Sequence, residues 1–307
     1  MALQNDSQSL GQVGNRDAPL ARPIPPKRNW DWLGLLPFLL FSLAFMLLPS
    51  VQIFIRSFQG EGGSFTFNNI LDIFRRVDLV NAYKNSLTIS IVTALVGGIF
   101  GFLLAYSITC GILPQRVRSF LVTFSGVASN FAGVPLAFAF IATIGNTGLI
   151  TRLLSDILNT DLARQGWRIY NLTGLSLVYL YFQFPLMVLV MVPAFDGLRR
   201  EWREATEILG GTGWHYWRYV GLPILTPSFL GAMILLFGNS FGAYATSYAF
   251  SGASLTLVPI IIGGQIAGDV LFNPGLGNAL ALGMILIMSL TLLGYSWMMR
   301  RAARWTR

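Results

Sequence analysis

Residues 85–115 read NSLTISIVTALVGGIFGFLLAYSITCGILPQ, a run of 31 residues without a charged side chain. About 20 apolar residues are enough for a helix to cross the hydrocarbon core of a bilayer. Further uncharged runs cover residues 32–55, 119–151, 169–195, 219–268 and 270–299. The sequence therefore predicts an all-α integral membrane protein with six transmembrane helices.

The composition excludes several other classes of protein. Only 11% of the 307 residues are charged and 54% are apolar, whereas soluble domains carry about 25% charged residues. A single cysteine, Cys110, excludes a disulfide scaffold. The net charge of +8 is a property that basic nucleic-acid-binding proteins share, but its distribution along the chain points to membrane orientation instead, so we expect no nucleic-acid partner.

Two of the uncharged runs exceed the length of one crossing. The run 119–151 contains Gly133 and Pro135, and we expect one helix that ends near Gly145. The run 219–268 has room for two helices. Its second part is interrupted by glycines and a proline, so we expect one crossing over 227–250 and then a short or re-entrant segment, which membranes tolerate where protein or a water-filled cavity surrounds it.

The ends of the chain are polar or basic. Residues 1–29 are predicted to be a flexible cytoplasmic tail, residues 30–299 the transmembrane domain and residues 300–307 a basic cytoplasmic C-terminus. With six crossings, 14 of the 21 basic residues fall on the side of the termini and seven on the other side. Because basic loops favour the cytoplasm, both termini and the segment between the fourth and fifth spans are predicted to be cytoplasmic.

That segment contains a charged amphipathic helix. Residues 197–227 read GLRREWREATEILGGTGWHYWRYVGLPILTP. The spacings Arg200/Glu204 and Arg203/Glu207 place opposite charges one turn apart. An apolar stripe at helical spacing accompanies them, and its members are Leu198, Trp202, Ala205 and Leu209.

A tight turn follows this helix. Gly210 and Gly211 predict a left-handed helix end, Thr212 is a good cap for a second short helix, and Leu222–Pro223 marks the start of the next span. On physical grounds alone, this hairpin is equally well explained as a surface connection between two spans, since amphipathic loop helices are common.

The same residues resemble the EAA loop of binding-protein-dependent ABC importer permeases. That loop reads Glu-Ala-Ala, two residues, Leu-Gly-Ala-Ser, then an aromatic residue, an aliphatic residue and Leu-Pro. Here Thr206 and Gly211 each replace an alanine of that pattern. The matching positions are Glu204, Ala205, Thr206, Leu209, Gly210, Gly211, Thr212, Trp217, Val220, Leu222, Pro223 and Pro227. The resemblance implies a type I importer permease fold with a coupling helix in the loop 197–223.

The resemblance also implies a mechanism and partners. In this family the loop docks into a groove of a cytoplasmic ABC ATPase, and ATP binding and hydrolysis switch the cavity between outward and inward states. The chain lacks a Gly-x-x-x-x-Gly-Lys-Ser/Thr loop, so ATP and Mg are expected in two copies of a separate ATPase. A second permease, expected to be a paralogue, and a periplasmic or lipid-anchored binding protein complete the expected assembly in a bacterial inner membrane.

Weaker cues bear on the solute. The segments around Asn146, Phe241 and Ser251 resemble permeases of the spermidine/putrescine, ferric iron and aminoalkylphosphonate group, and a polyamine is the first expectation. In that group an acidic residue often precedes the aromatic at the position of Phe241, where this chain has Ser240. The uncharged spans leave aminoalkylphosphonate, ferric iron or another anionic or zwitterionic solute open, because a desolvated cation needs a paired charge or aromatic faces.

Polar and aromatic residues inside the spans are candidates for the translocation pathway. Polar groups in hydrocarbon usually face the bundle interior, and the alternative is hydrogen bonding between helices. Glycines four apart, at 97/101 and at 238/242, are instead expected to permit close helix packing. The pathway candidates are Asn130, Tyr179, Gln183, Asn239, Ser240, Phe241 and Tyr244.

Two other functional classes are weighed against an importer permease. A membrane-embedded enzyme needs a catalytic constellation, and we assign no catalytic or metal-binding residue. A secondary transporter usually needs intramembrane carboxylates or unwound ion sites, and the uncharged runs contain no carboxylate.

Overall fold

The computed structural model describes residues 34–60, 63–111, 113–158, 169–267 and 273–304. Within them, six helices are long and apolar enough to cross a membrane, as predicted. These spans cover Leu36–Ser57, Val77–Cys110, Val134–Ile157, Leu172–Asp196, Gly213–Phe241 and Pro274–Arg300. The predicted tail, residues 1–29, lies outside the described residues, as do the last three residues of the predicted C-terminus.

The chain divides into two compact units, residues 1–50 and 51–307. In the first unit, α1 (Leu36–Ser42) continues through a π-helical turn (Leu43–Leu47) into the start of α2 (Leu48–Ser57). The amide of Leu48 donates to the carbonyl of Leu43, five residues back. This wider turn precedes Pro49, whose ring would clash with the carbonyl four residues earlier in a regular α-helix.

The second unit contains the remaining helices. An isolated antiparallel bridge pairs Gln59 with Phe65, and α3 (Asn68–Arg75) follows. The other helices are α4 (Val77–Cys110), α5 (Gln115–Asn130), α6 (Val134–Ile144), α7 (Leu149–Leu158), α8 (Leu172–Asp196), α9 (Arg200–Ile208), α10 (Gly213–Tyr216), α11 (Leu222–Phe241), α12 (Tyr244–Ser251), α13 (Val258–Ala267) and α14 (Pro274–Arg304).

The core of this unit is built on α4 and α8, which pack along each other and against α11, while α5 packs against α8. One buried cluster joins α4, α8 and α11 through residues such as Ala105, Met191 and Leu236. A second lies among α6, α8 and α12, and a third among α3, α4, α13 and α14. Many apolar side chains of the spans remain exposed on the isolated chain, as in Ile99 and Leu103, which fits a surface that faces lipid or another subunit.

Two of the uncharged runs are divided differently from the prediction. The run 119–151 holds a helix break that was not predicted, since α5 ends at Asn130 and α6 begins at Val134, whereas the predicted end near Gly145 is confirmed because α6 ends at Ile144. Gly133 between them has a φ of +76°, a conformation that interrupts a right-handed helix and favours glycine. Similarly, the fifth span ends at Phe241 rather than at residue 250, and α12 starts after the break at Gly242 and Ala243.

The glycine pair 97/101 has the predicted packing role. A Cβ at Gly101 would lie 2.6 Å from the Met187 Cβ and 3.0 Å from the Phe184 carbonyl oxygen, and one at Gly97 would lie 2.7 Å from the Gln183 Cβ. Side chains larger than hydrogen would therefore push α4 away from α8.

We expect Gly101→Val to lower the free energy of unfolding by roughly 1–3 kcal/mol, the usual cost of overpacking a tight interface. The measurement is the thermal unfolding midpoint of the purified protein in detergent. Gly126→Val is the matched control, since a Cβ at Gly126 has no neighbour within 4 Å. Equal midpoints for the two variants would contradict the packing assignment.

Candidate functional site

The hairpin between the fourth and fifth spans has the predicted left-handed turn. Its first helix, α9, ends at Ile208, and Gly210 has a φ of +76°. The amide of Gly211 donates to the Thr206 carbonyl at 2.9 Å, and the amide of Gly210 donates to the Glu207 carbonyl at 3.0 Å. This pair of bonds is the Schellman motif, which satisfies carbonyls at a helix end and needs a left-handed residue.

The helix after the turn begins with a reciprocal cap. The Nδ1 atom of His215 accepts a hydrogen bond from the Thr212 amide at 3.1 Å and lies 2.8 Å from the Thr212 hydroxyl. His215 thus occupies the position that Glu or Gln takes in a capping box. Thr212 was predictable as the cap from its place after the glycines, whereas this role of His215 was not.

The second helix of the hairpin is not separate from the next span, in contrast to the prediction. α10 continues through a π-helical turn, Trp217–Gly221, directly into α11, and the whole helix runs over Gly213–Phe241. The amide of Leu222 donates to the Trp217 carbonyl, five residues back. Pro223 cannot donate and would clash with the carbonyl four residues before it, and the wider turn accommodates it without ending the helix.

An aromatic cluster anchors the hairpin to the ends of the spans. The Trp217 ring lies 5.3 Å from that of Tyr106 and 6.5 Å from that of Phe195. Phe195 in turn lies 5.1 Å from Phe102, which lies 5.2 Å from Phe229. These rings come from α4, α8 and the helix that contains α11, so the hairpin is packed onto three spans.

The tip of the hairpin exposes large apolar side chains. Leu209 is 87% exposed, Ile208 is 85% exposed and Trp214 is 68% exposed. The predicted single apolar stripe is therefore wrong: Leu198 packs against the core cluster of α4, α8 and α11, whereas Leu209 points away from the protein. Exposed apolar groups at a tip of this kind mark an interaction surface.

The charges of α9 surround this tip. Arg203 Nε lies 3.1 Å from Glu207 Oε1, which is the predicted i,i+4 pair. Glu204 and Ala205 are exposed, and the described part of the chain places no cation within 4 Å of the Glu204 carboxylate. Arg199 lies over the Trp202 ring at 5.9 Å.

Several predicted pathway residues are buried where helices meet. Gln183 is 0% exposed, and its Nε2 donates to the Leu236 carbonyl at 3.0 Å and to the Ser240 hydroxyl. The Ser240 hydroxyl also lies 2.9 Å from that of Thr93, a residue that the sequence analysis missed. This cluster joins α4, α8 and α11 and has the geometry of the helix-to-helix bonding that was the alternative interpretation.

The other pathway candidates lie apart from this cluster. Tyr179 is buried, and its hydroxyl donates to the Ala243 carbonyl at the break after α11, at 3.0 Å. Phe241 is buried beside Phe237. Asn130 is exposed at the end of α5, Asn239 is exposed near the end of α11, and Tyr244 is exposed and stacks on Tyr248. The structure thus leaves Asn130, Asn239 and Tyr244 as the candidates with an accessible surface.

A polar cleft that the sequence analysis missed lies at the opposite ends of the spans from the hairpin. It has a volume of about 630 Å³ and is formed by the residues after α2 and by the starts of α3 and α14. Its lining includes Arg56, Gln59, Asn68, Asn69 and Asn278. The amides are scattered over three segments of the sequence, so no local motif reveals them.

Comparisons with known proteins agree with this geometry. A family model described as "Binding-protein-dependent transport system inner membrane component" matches residues 163–307, which include the hairpin. The chain is 18% identical to a subunit of a bacterial ABC transporter that imports alginate, with a TM-score of 0.70 over 88% of this chain and 96% of that one. This likeness shows the fold.

Residues 163–307 thus belong to the inner-membrane permeases of binding-protein-dependent transport systems, and the chain has the fold of type I ABC importer permeases. Among its relatives, the probable sulfate permease cysT of Nephroselmis olivacea is 26% identical, over 73% of each protein. The sulfate permease CysW of Escherichia coli K12 is 25% identical over 76% of this chain and 74% of CysW. The putative ferric permease FbpB 1 of Haemophilus influenzae is 22% identical over 88% of this chain but 42% of its own length.

These relatives bear on the expected type of protein and on the expected solute. This permease is a multi-pass membrane subunit of a transporter and not itself an enzyme. The names of the relatives refer to sulfate and ferric iron, and they give no support to the polyamine that was expected first.

We expect Gly210→Val to loosen the hairpin, because a β-branched residue is strained at a φ of +76°. The penalty of roughly 1–2 kcal/mol for a left-handed residue predicts cleavage by trypsin within residues 199–203 that is about 5–30 times faster. Gly213→Val is the control, since Gly213 also has open space around its Cβ position but no positive φ. Equal cleavage rates in the two variants would show that the left-handed turn does not hold α9.

Proposed function

We propose that this permease imports a small polar solute by ATP-driven alternating access, with the hairpin 197–223 as the part that receives the motion of an ABC ATPase. One observation carries the proposal: an exposed apolar tip lies at the end of a rigid hairpin whose second helix is continuous with the fifth span. A force on such a tip is transmitted directly to the fifth span, because no flexible segment separates the second helix of the hairpin from that span.

Each motif residue has a structural task in this proposal. Leu209 enters the ATPase groove and buries its apolar surface there. Glu204 and Ala205 lie on the same exposed helix, and Thr206 and Gly211 form the hydrogen bond that closes the turn at Gly210. Leu222 and Pro223 follow the π-helical turn that keeps the helix unbroken.

The partners follow from this mechanism. Two copies of a separate ATPase bind ATP and Mg, a second permease completes the pathway, and a periplasmic or lipid-anchored protein delivers the solute. The proposed location is the bacterial inner membrane, with both termini and the hairpin in the cytoplasm. The bias of basic residues supports this orientation.

An anionic solute fits this permease better than a polyamine. The uncharged runs of the spans contain no carboxylate to pair with an ammonium group, and unpaired charges in low dielectric are costly. The similarity to sulfate permeases supports the same choice. Ferric iron is the second candidate, favoured by the similarity to FbpB 1 over 88% of this chain.

The solute class is tested with the secreted binding protein that operates with this permease. Isothermal titration with sulfate, phosphate, ferric iron and spermidine is expected to give micromolar or tighter binding for an anion and none for spermidine. Tight binding of spermidine would overturn the anion proposal and restore the polyamine.

Docking of the tip is tested by Leu209→Asp in the purified complex. Burial of a leucine side chain contributes about 1.5–3 kcal/mol, so we expect the affinity for the ATPase to fall by roughly 10–100-fold. Leu209→Met is the control, because it keeps an apolar side chain of similar volume at the same place. Unchanged ATPase affinity in Leu209→Asp, measured by co-purification and titration, would exclude Leu209 from the interface.

A further inference from the structure

An ion pair connects the start of α5 to the base of the hairpin. One terminal nitrogen of Arg118, Nη2, lies 2.6 Å from Asp196 Oδ1 and 2.7 Å from Asp196 Oδ2. The two side chains are 29% and 46% exposed. Arg118 is in the first turn of α5 and Asp196 is the last residue of α8, only four residues before α9 begins.

Both charges lie at the unfavourable end of their helices. The helix dipole favours anions at an N-terminus and cations at a C-terminus, yet α5 begins with a cation and α8 ends with an anion. Partly exposed ion pairs contribute little to stability on average. Stability therefore does not explain why these two charges are placed there.

The surroundings of the pair connect it with the hairpin. Phe195, next to Asp196, packs on Trp217 of the hairpin helix. Movement of the hairpin thus displaces the end of α8, to which the start of α5 is attached by Arg118.

The far end of α5 leads to the two interrupted helices. After Asn130 the chain breaks, and the amide of Gly133 donates to the Thr246 hydroxyl at 2.8 Å. Thr246 belongs to α12, which follows the break in the fifth span. A shift of α5 along its axis therefore reaches the contact between α6 and α12.

We propose that the Arg118–Asp196 pair transmits the motion of the hairpin to α5, so that the third and fifth spans respond together to ATP. This inference rests on the proposed coupling function. The apolar contacts between α5 and α8 hold the helices side by side, whereas the ion pair fixes the position of α5 relative to the hairpin.

Two reporters in the assembled transporter separate transmission from docking. Cys110→Ala removes the single native cysteine of the chain. Ile208→Cys then reports on the ATPase interface, and Phe131→Cys, at an exposed position after α5, reports on the far end of that helix. The measurement is the rate of labelling by N-ethylmaleimide, with and without a non-hydrolysable ATP analogue, resolved by peptide mass.

We expect ATP to change both rates at least threefold in the otherwise native complex. With Arg118→Gln or Asp196→Asn, the response at residue 208 is expected to persist and the response at residue 131 to disappear. The thermal midpoint is expected to stay equal or to rise, because each variant removes an unfavourable charge–dipole contact. The exchange Arg118→Asp with Asp196→Arg places both charges at favourable helix ends and is expected to restore the response at residue 131.

Each contrary outcome has a distinct meaning. A response at residue 131 that persists in both single variants would overturn the inference and leave the proposed function intact. Loss of both responses together with a lower midpoint would also overturn it, since the pair would then be structural. No ATP response at residue 208 in the native background would overturn the proposed coupling function and, with it, this inference.

Discussion

The structure depends on one constraint: backbone amides and carbonyls within a bilayer must find partners inside the protein. Helices satisfy this requirement along their length but not where they are interrupted. In this permease, polar side chains of neighbouring helices form hydrogen bonds with backbone groups that are left free at the interruptions. Thr246 accepts the Gly133 amide, and the Tyr179 hydroxyl donates to the Ala243 carbonyl. Ser86 accepts the Val258 amide at the start of α13.

This use of side chains changes how polar residues in the spans are interpreted. Tyr179 was attractive as an aromatic group in a pathway, but its hydroxyl is bonded to backbone at the break in the fifth span. Gln183 and Ser240 bond to each other and to backbone in the interior. Bonds at the interruptions and between helices thus use these polar groups of α4, α8 and α11, and fewer groups remain for contact with a solute.

The same constraint shapes the prolines. Pro49 and Pro223 each follow a π-helical turn, at Leu43–Leu47 and Trp217–Gly221. In both places the helix passes through a Leu-Pro pair, although Leu222–Pro223 was predicted to be the start of a helix. For the hairpin this matters mechanically, because the helix that leaves the Gly210 turn is the same helix that crosses the membrane.

The sequence was sufficient for the features that depend on local pattern. Uncharged runs located all six spans, and Gly210 was predictable as a left-handed residue because the pattern before it is helical. The break at residues 131–133 was not predicted and the break at 242–243 was predicted near residue 250, since the sequence is uncharged on both sides of each break. Contacts between distant segments, such as Thr93 with Ser240 or Arg118 with Asp196, leave no local signal at all.

The positions of the few charged residues near the hairpin are the last feature to be explained. Most of the described length of the spans is uncharged, because burial in lipid disfavours charged side chains. The few charges near the hairpin are therefore unusual and call for an explanation. Asp196 and Arg118 persist there although the dipoles of their own helices disfavour both. A charge pair is directional in a way that apolar contact is not, because it fixes the relative position of two atoms rather than an area. In the proposed transmission, this directional contact at one end of α5 is what makes α5 follow the hairpin rather than slide along α8.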